Sequence, residues 1–384
     1  MSKASNGTSP GVHLPASQPL VLAVGGGKGG IGKSYVSASL SASLAGFSKR
    51  VILVDADFGG ANLHTMMGIA IPSRTIHDFV SRKINSLADA VIPTPIERLS
   101  LICGAAGSIS VANLPYADKQ KFLRHVRKLD ADIVVLDLGA GMSFNEIDLF
   151  NSSDISIVVA NPEPTSIQEC YNFLKVALFR RLRKAFAKSP EAMAVLERKD
   201  NDDHLQDNRL MVDLGREFFK LGKAEGEVFA NVINGFTPKL ILNRVFNVPE
   251  THDGLALQIA VGDLMRVHLE YWGYLGFDPI TRRALREMKP QALMSPASEN
   301  AERVMEIVQK FLLNHETGEA NNRGGYFKFE DQFPSEADDD NVRICSIRCR
   351  LWGNCIYQEG GLPCGMPEEE YQQRTASLEV NSYQ

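Results

Sequence analysis

The sequence predicts an α/β fold, a doubly wound and mainly parallel sheet, and three observations carry that expectation. Short apolar runs recur: Val21-Leu22-Ala23-Val24, Val51-Ile52-Leu53-Val54, Ile133-Val134-Val135-Leu136, residues 155–159 and Leu240-Ile241-Leu242. They are continuous rather than alternating, which is the pattern of strands covered on both faces. Helical patterns lie between them, at Lys33–Gly46, 116–129 and 164–179, and strand–helix alternation of this kind builds parallel sheets. The composition agrees: of 384 residues, 44% are apolar and 23% charged, which excludes wholesale disorder and a fibrous repeat.

Residues 1–19 read as a flexible leader, because a charged start followed by an apolar stretch, the mark of a secretory signal, is missing. Residues 20–314 hold the α/β pattern, interrupted once. A charged, helical stretch without a clear strand fills 180–236, far longer than a compact crossover needs, and reads as a helical insertion. Regular structure resumes at Leu240 and closes with a helix expected over 297–314. Residues 315–341 carry eight acidic and two basic side chains and read as an acidic linker. A cysteine-rich module follows at 342–368, then a polar tail at 369–384. The net charge of −5 argues against a protein that coats nucleic acid. No apolar run approaches the roughly 18 residues that span a bilayer.

The strongest local signal is Gly27-Lys28-Gly29-Gly30-Ile31-Gly32-Lys33-Ser34, which fits the G-x-x-x-x-G-K-[ST] phosphate loop. Glycines let successive N–H groups turn inward on phosphate oxygens, and the following helix adds its positive N-terminal dipole. Lys33 supplies a point charge for β- and γ-phosphates, and Ser34 a hydroxyl for Mg²⁺. A strand before the loop and a helix after it give the context the chemistry requires. The expected cofactors are therefore ATP and Mg²⁺.

The second lysine, Lys28, makes the loop resemble that of the MinD/ParA group of deviant phosphate-loop ATPases. The resemblance implies a P-loop NTPase fold and a nucleotide-dependent homodimer, in which Lys28 reaches the partner's phosphates. Asp55-Ala56-Asp57-Phe58-Gly59-Gly60-Ala61-Asn62-Leu63 is similar to the group's switch I. It implies that Asp57 positions the attacking water near Mg²⁺ and that Asn62 supports the active conformation. Asp137-Leu138-Gly139-Ala140-Gly141 resembles switch II, with Asp137 near Mg²⁺ through water. Asn161-Pro162-Glu163-Pro164-Thr165-Ser166-Ile167 narrows the resemblance to the FlhG/FleN branch, which sets flagellar number and placement. Asn243-Arg244 matches the adenine-side pair, and residues 273–279 resemble the last strand and base-side loop. The resemblance covers about residues 20–180 and 237–314. Five features depart from it: Leu138 replaces a polar residue, the leader lacks the glutamine-containing activating helix, no basic amphipathic helix closes the chain, and the 180–236 insertion and the cysteine tail lie outside its usual pattern.

Cys345, Cys349, Cys355 and Cys364 fall in one window and offer four soft ligands for Zn²⁺ or an iron–sulfur cluster; unpaired thiols and disulfides are the other readings. Cys103 and Cys170 read as buried packing residues. The basic run at 179–184 suits nucleic-acid phosphate or an anionic membrane, and also a solvated helix C-terminus. The expected function is a slow, dimerising switch ATPase that regulates spatial positioning, cytoplasmic and recruited to a pole or the inner membrane by an unidentified protein partner. An Mrp-like iron–sulfur carrier and a nucleotide-gated scaffold with little hydrolysis are the alternatives.

Overall fold

The structure, a computed structural model, describes residues 18–104, 115–200, 210–295 and 298–316, with short stretches at 351, 355, 366–367 and 370–373. Its strands are β1 (Leu20–Gly25), β2 (Val51–Ala56), β3 (Val91–Pro93), β4 (Leu99–Ile102), β5 (Ile133–Leu138), β6 (Ile155–Ala160), β7 (Lys239–Val245) and β8 (Glu270–Gly276). The first helices are α1 (Lys33–Gly46), α2 (Leu63–Met66), α3 (Ile76–Val80), α4 (Tyr116–Val126), α5 (Phe144–Ser152) and α6 (Pro164–Ala185). They are followed by α7 (Pro190–Asp200), α8 (Leu210–Leu221), α9 (Lys223–Asn234), α10 (His252–Met265), α11 (Pro279–Arg286) and α12 (Glu299–Glu316).

One eight-stranded sheet runs in the order β3-β4-β2-β5-β1-β6-β7-β8. Every pairing is parallel except β3 with β4, which is antiparallel at the edge. The expected doubly wound, mainly parallel sheet is therefore the fold. Alternate residues of each strand face opposite layers. Val21 and Ala23 pack in one apolar cluster with α4 to α10, whereas Leu22 and Val24 pack in the other with α1 and α12. The doubly apolar runs in the sequence are the direct cause of this three-layer arrangement.

Three helices differ in their bounds from the sequence reading, and the first, α4, ends at Val126 and not at 129. Helix α6 runs past residue 179 to Ala185, because Leu178, Phe179 and Leu182 continue its buried stripe. Helix α12 begins at Glu299 and not at 297. Helices α7, α8 and α9 occupy the charged region and share the core of the α6 side. Phe186, Phe218 and Phe229 stack with centroids 4.4 and 5.0 Å apart.

The basic run at the end of α6 is partly turned inward. Arg180 Nε donates to Asp148 Oδ1 at 2.9 Å, and Arg181 Nε donates to Asn151 Oδ1 at 2.8 Å. Burial pulls the Arg181 guanidinium down to about 10. These two arginines tie α6 to α5. Among the described residues, no helix is long and apolar enough to cross a membrane.

Candidate nucleotide site

Strands β1, β2 and β5 are neighbours in the sheet, and their C-terminal ends carry the phosphate loop and both switch segments. This is where ligands bind in open α/β sheets. The loop from Gly26 to Gly32 leaves β1 and enters α1 at Lys33. Ile31 is buried and anchors it. Gly32 closes it with φ 94°, and a Cβ there would lie 2.1 Å from Asn243 Nδ2. Only glycine meets both demands. Asn243, buried on β7, donates from Nδ2 to Ile31 O at 2.8 Å. With its amide oriented to satisfy its neighbours, Asn161 at the end of β6 donates to Asn243 O and Ile31 O, each at 3.1 Å. Thus β6 and β7 brace the loop from behind.

Lys33 is 7% exposed, and its Nζ donates to Lys28 O at 3.2 Å. Burial lowers its ammonium below the usual lysine range, against the pull of Asp137, Asp57 and Glu146. Asp137 sits at the end of β5 and accepts from Ser37 Oγ at 2.8 Å and from Ser34. Burial pushes its carboxyl up to about 6, although both serines and Lys33 favour the ion.

Asp57 Oδ1 accepts from Gly59 N at 3.0 Å and Gly60 N at 2.8 Å, which folds switch I into a tight turn. Exposed Asn62 stands at the N-terminal boundary of α2, and its side chain donates to Gly60 O at 2.8 Å rather than capping the helix. Lys28 Nζ donates to Thr165 Oγ1 at 2.8 Å and lies 3.7 Å from Glu163. Arg244 is exposed, with φ 58°.

The structure thus brings Lys28, Lys33, Ser34, Asp57 and Asp137 together at one loop and ties Asn243 to its back, whereas the contacts of Asn62 stay within switch I and the start of α2. It also adds Asp55. That carboxylate is paired in register with Asp137 across β2 and β5 and accepts from Leu63 N at 3.0 Å. Burial and the charge of Asp137 push it up to about 8. Asp55 lies in the switch I segment, and strand register sets it, buried, beside Asp137, whereas Asp57 follows the end of β2 and is half-buried.

The donor chemistry fits a Mg–nucleotide. Backbone N–H groups, an ammonium and a hydroxyl surround the cradle, and the nearby carboxylates are hard oxygen ligands that suit Mg²⁺ directly or through water. Among the described residues no three His, Cys, Asp or Glu side chains form a metal cage, so the ion's remaining ligands would be phosphate and water. Of the cysteine window, Cys345, Cys349 and Cys364 lie outside the described residues; Cys355 is half-buried. Cys103 and Cys170 are buried, and burial raises each thiol to about 12, as expected of packing residues.

Residues 19–185 match the ParA model, described as NUBPL iron-transfer P-loop NTPase. Antiactivator FleN of Pseudomonas aeruginosa is 31% identical over 158 residues, covering 41% of this chain and 55% of FleN. Flagellum site-determining protein YlxH of Helicobacter pylori is 30% identical over 158 residues, covering 40% of this chain and 52% of YlxH. The chain thus spans about half the length of these curated relatives. The septum site-determining protein MinD of Pyrococcus horikoshii, solved with Mg-ADP, superposes with a TM-score of 0.52 at 19% identity, covering 76% of this chain and 96% of that one. That likeness concerns the fold. Over residues 19–185, with the phosphate loop and both switch segments at the ends of adjacent strands, the chain carries a P-loop NTPase domain of the ParA/MinD family.

Proposed function

We propose that this chain is a slow ATPase acting as a nucleotide-dependent dimerising switch for spatial positioning, in flagellar number and placement or in division or chromosome positioning. The observation that carries the reading is the braced phosphate loop, with Lys33, Ser34 and Asp137 on its inner side and Lys28 on its outer side. Ser34 and Asp137 would hold Mg²⁺, which would neutralise charge developing on the phosphates. Loop N–H groups and Lys33 hold the phosphates, while Ser34 and Asp137 orient the ion's shell. Asp57 holds the water for in-line attack, and Asn62 keeps switch I closed over it. Asn243 and Arg244 flank the base. In the dimer, Lys28 of each protomer adds its charge to the other's phosphates. Conformational change, rather than product, is the output.

The name of YlxH, flagellum site-determining protein, supports the flagellar process. The site then works in the cytoplasm, with a protein partner recruiting the dimer to a pole or the inner membrane. Turnover of ATP by the full chain with Mg²⁺ tests the activity. We expect slow phosphate release, lowered at least tenfold by Asp57→Ala with binding retained. Tight binding with no turnover in either protein would leave the nucleotide-gated scaffold.

A second reading has two specific supports: the matching family model is described as iron-transfer, and the chain holds four clustered cysteines at 345, 349, 355 and 364. In that reading they hold an iron–sulfur cluster as cargo. Brown, anaerobically purified protein absorbing near 400 nm favours it, whereas one zinc per colourless chain opposes it.

A further inference from the structure

The outer lysine of the phosphate loop is already engaged within its own chain. Lys28 Nζ donates to Thr165 Oγ1 at 2.8 Å and lies 3.7 Å from the Glu163 carboxylate. Both partners sit at the start of α6, with Glu163 its N-cap and Pro164 in its first turn. Three further ties make this meeting reproducible. Gly27 is pressed so closely on α6 that a Cβ there would lie 2.4 Å from Glu169 O. Asn161 bridges the end of β6 to Ile31 O and Asn243 O. Asn161 N donates to buried Ser166 Oγ at 2.9 Å, which sets the first turn of α6. The loop and the helix start are therefore one braced unit, and the Lys28 side chain bends back onto it.

We propose that Thr165 and Glu163 are positioning residues that hold Lys28 in cis and so restrain it from reaching a second protomer's phosphates. The proposal rests on the dimerising reading above. The hold is weak by construction. Lys28 is 41% exposed and Glu163 59%, so solvent screens the pair. One hydroxyl and one screened carboxylate are outcompeted by a triphosphate, whose oxygens carry several charges. The contact thus acts as a brake that a charged ligand releases: the nucleotide-free chain stays apart, and the phosphates of a facing copy draw the lysine away.

The test uses the full chain and two readouts. The first is acetylation of nucleotide-free protein by an N-hydroxysuccinimide acetate reagent, followed by mass spectrometry at Lys28. Lys223, 85% exposed, serves as the internal reference. Thr165→Val combined with Glu163→Gln should speed labelling of Lys28 roughly two- to five-fold, the range of a screened surface contact, without changing Lys223. Thr165→Ser, which keeps the hydroxyl, should label as the parent does. The second readout is the dimer dissociation constant with Mg²⁺ and a non-hydrolysable ATP analogue, which the double variant should lower by the same factor. Unchanged labelling of Lys28 overturns the proposal whatever the dimer does. Faster labelling with an equal or weaker dimer overturns the brake and assigns the α6 start to the dimer contact itself. Faster labelling with no dimer in either protein supports the cis hold and overturns the dimerising reading instead.

Discussion

Gly27→Ala probes how tightly the phosphate loop is fitted to the rest of the fold. The new methyl would lie 2.4 Å from Glu169 O and 3.0 Å from Glu169 C, about 1 Å inside ordinary contact. Both atoms belong to the main chain of α6, part of the helix ladder, so neither yields as a side-chain tip would. Overpacking of this kind costs about 1–3 kcal/mol. The loop is the softer partner and should absorb the shift by moving outward, off the phosphates. Loss of one or two phosphate hydrogen bonds then weakens nucleotide binding about 10- to 100-fold. Titration with a fluorescent ATP analogue, beside a thermal melt, measures both effects. Gly29→Ala is the control, since its methyl meets only Ala140 Cβ at 3.7 Å; it should bind within about twofold of the parent. If Gly27→Ala binds and melts as the parent does, the close contact with α6 does not set the loop's position.

Other outcomes follow from the same geometry. Asp55 and Asp137 hold protons more tightly folded, at about 8 and about 6, than at their ordinary 3.8. The folded state therefore binds more protons across that window, and stability falls as pH rises from 3.8 toward 8. Melting of the nucleotide-free chain should drop from pH 6 to pH 8, and Asp55→Asn should flatten the drop. Leu138 is 1% exposed in the α6-side core, so Leu138→Ala should cost about 2–4 kcal/mol by denaturant titration while nucleotide binding survives. Lys119, 5% exposed at its side chain, pairs with Asp148. Removing its partner by Asp148→Ala leaves a buried cation and should cost about 3–5 kcal/mol, whereas Lys119→Met should cost less. Asn243→Ala removes the brace on Ile31 O and should weaken ATP binding about 5- to 20-fold in the titration used for Gly27.

The centre of the sheet was legible because burial on both faces leaves a run of apolar residues with little else to mean. Strands β1, β2, β5, β6 and β7 all announce themselves this way. Strands β3 and β4 do not. Val91-Ile92-Pro93 is only three residues at an edge, and Leu99-Ser100-Leu101-Ile102 places a serine in its middle. Neither is long enough to stand out from a loop. The phosphate loop was legible because its glycine and lysine spacing is set by local backbone geometry alone. What remained hidden depends on contacts distant in sequence. Asp55 and Asp57 look alike in the chain, and only the pairing of β2 with β5 separates a buried acid from a loop acid. The bracing amide of Asn161 and the cis partners of Lys28 arise where α6 packs on the loop, more than 100 positions away. The extension of α6 to Ala185 was obscured by its arginines, which read as a solvated end yet reach back to Asp148 and Asn151.

In the proposed switch, nucleotide turns a monomer into a dimer through Lys28. Gel filtration with multi-angle light scattering on the full chain tests it most directly, with Mg²⁺ and either ADP or a non-hydrolysable ATP analogue at concentrations shown to saturate the site. The expected mass is 42.2 kDa with ADP and twice that with the ATP analogue, returning to the monomer mass in Lys28→Ala. A mass of 42.2 kDa under both saturated conditions would contradict it.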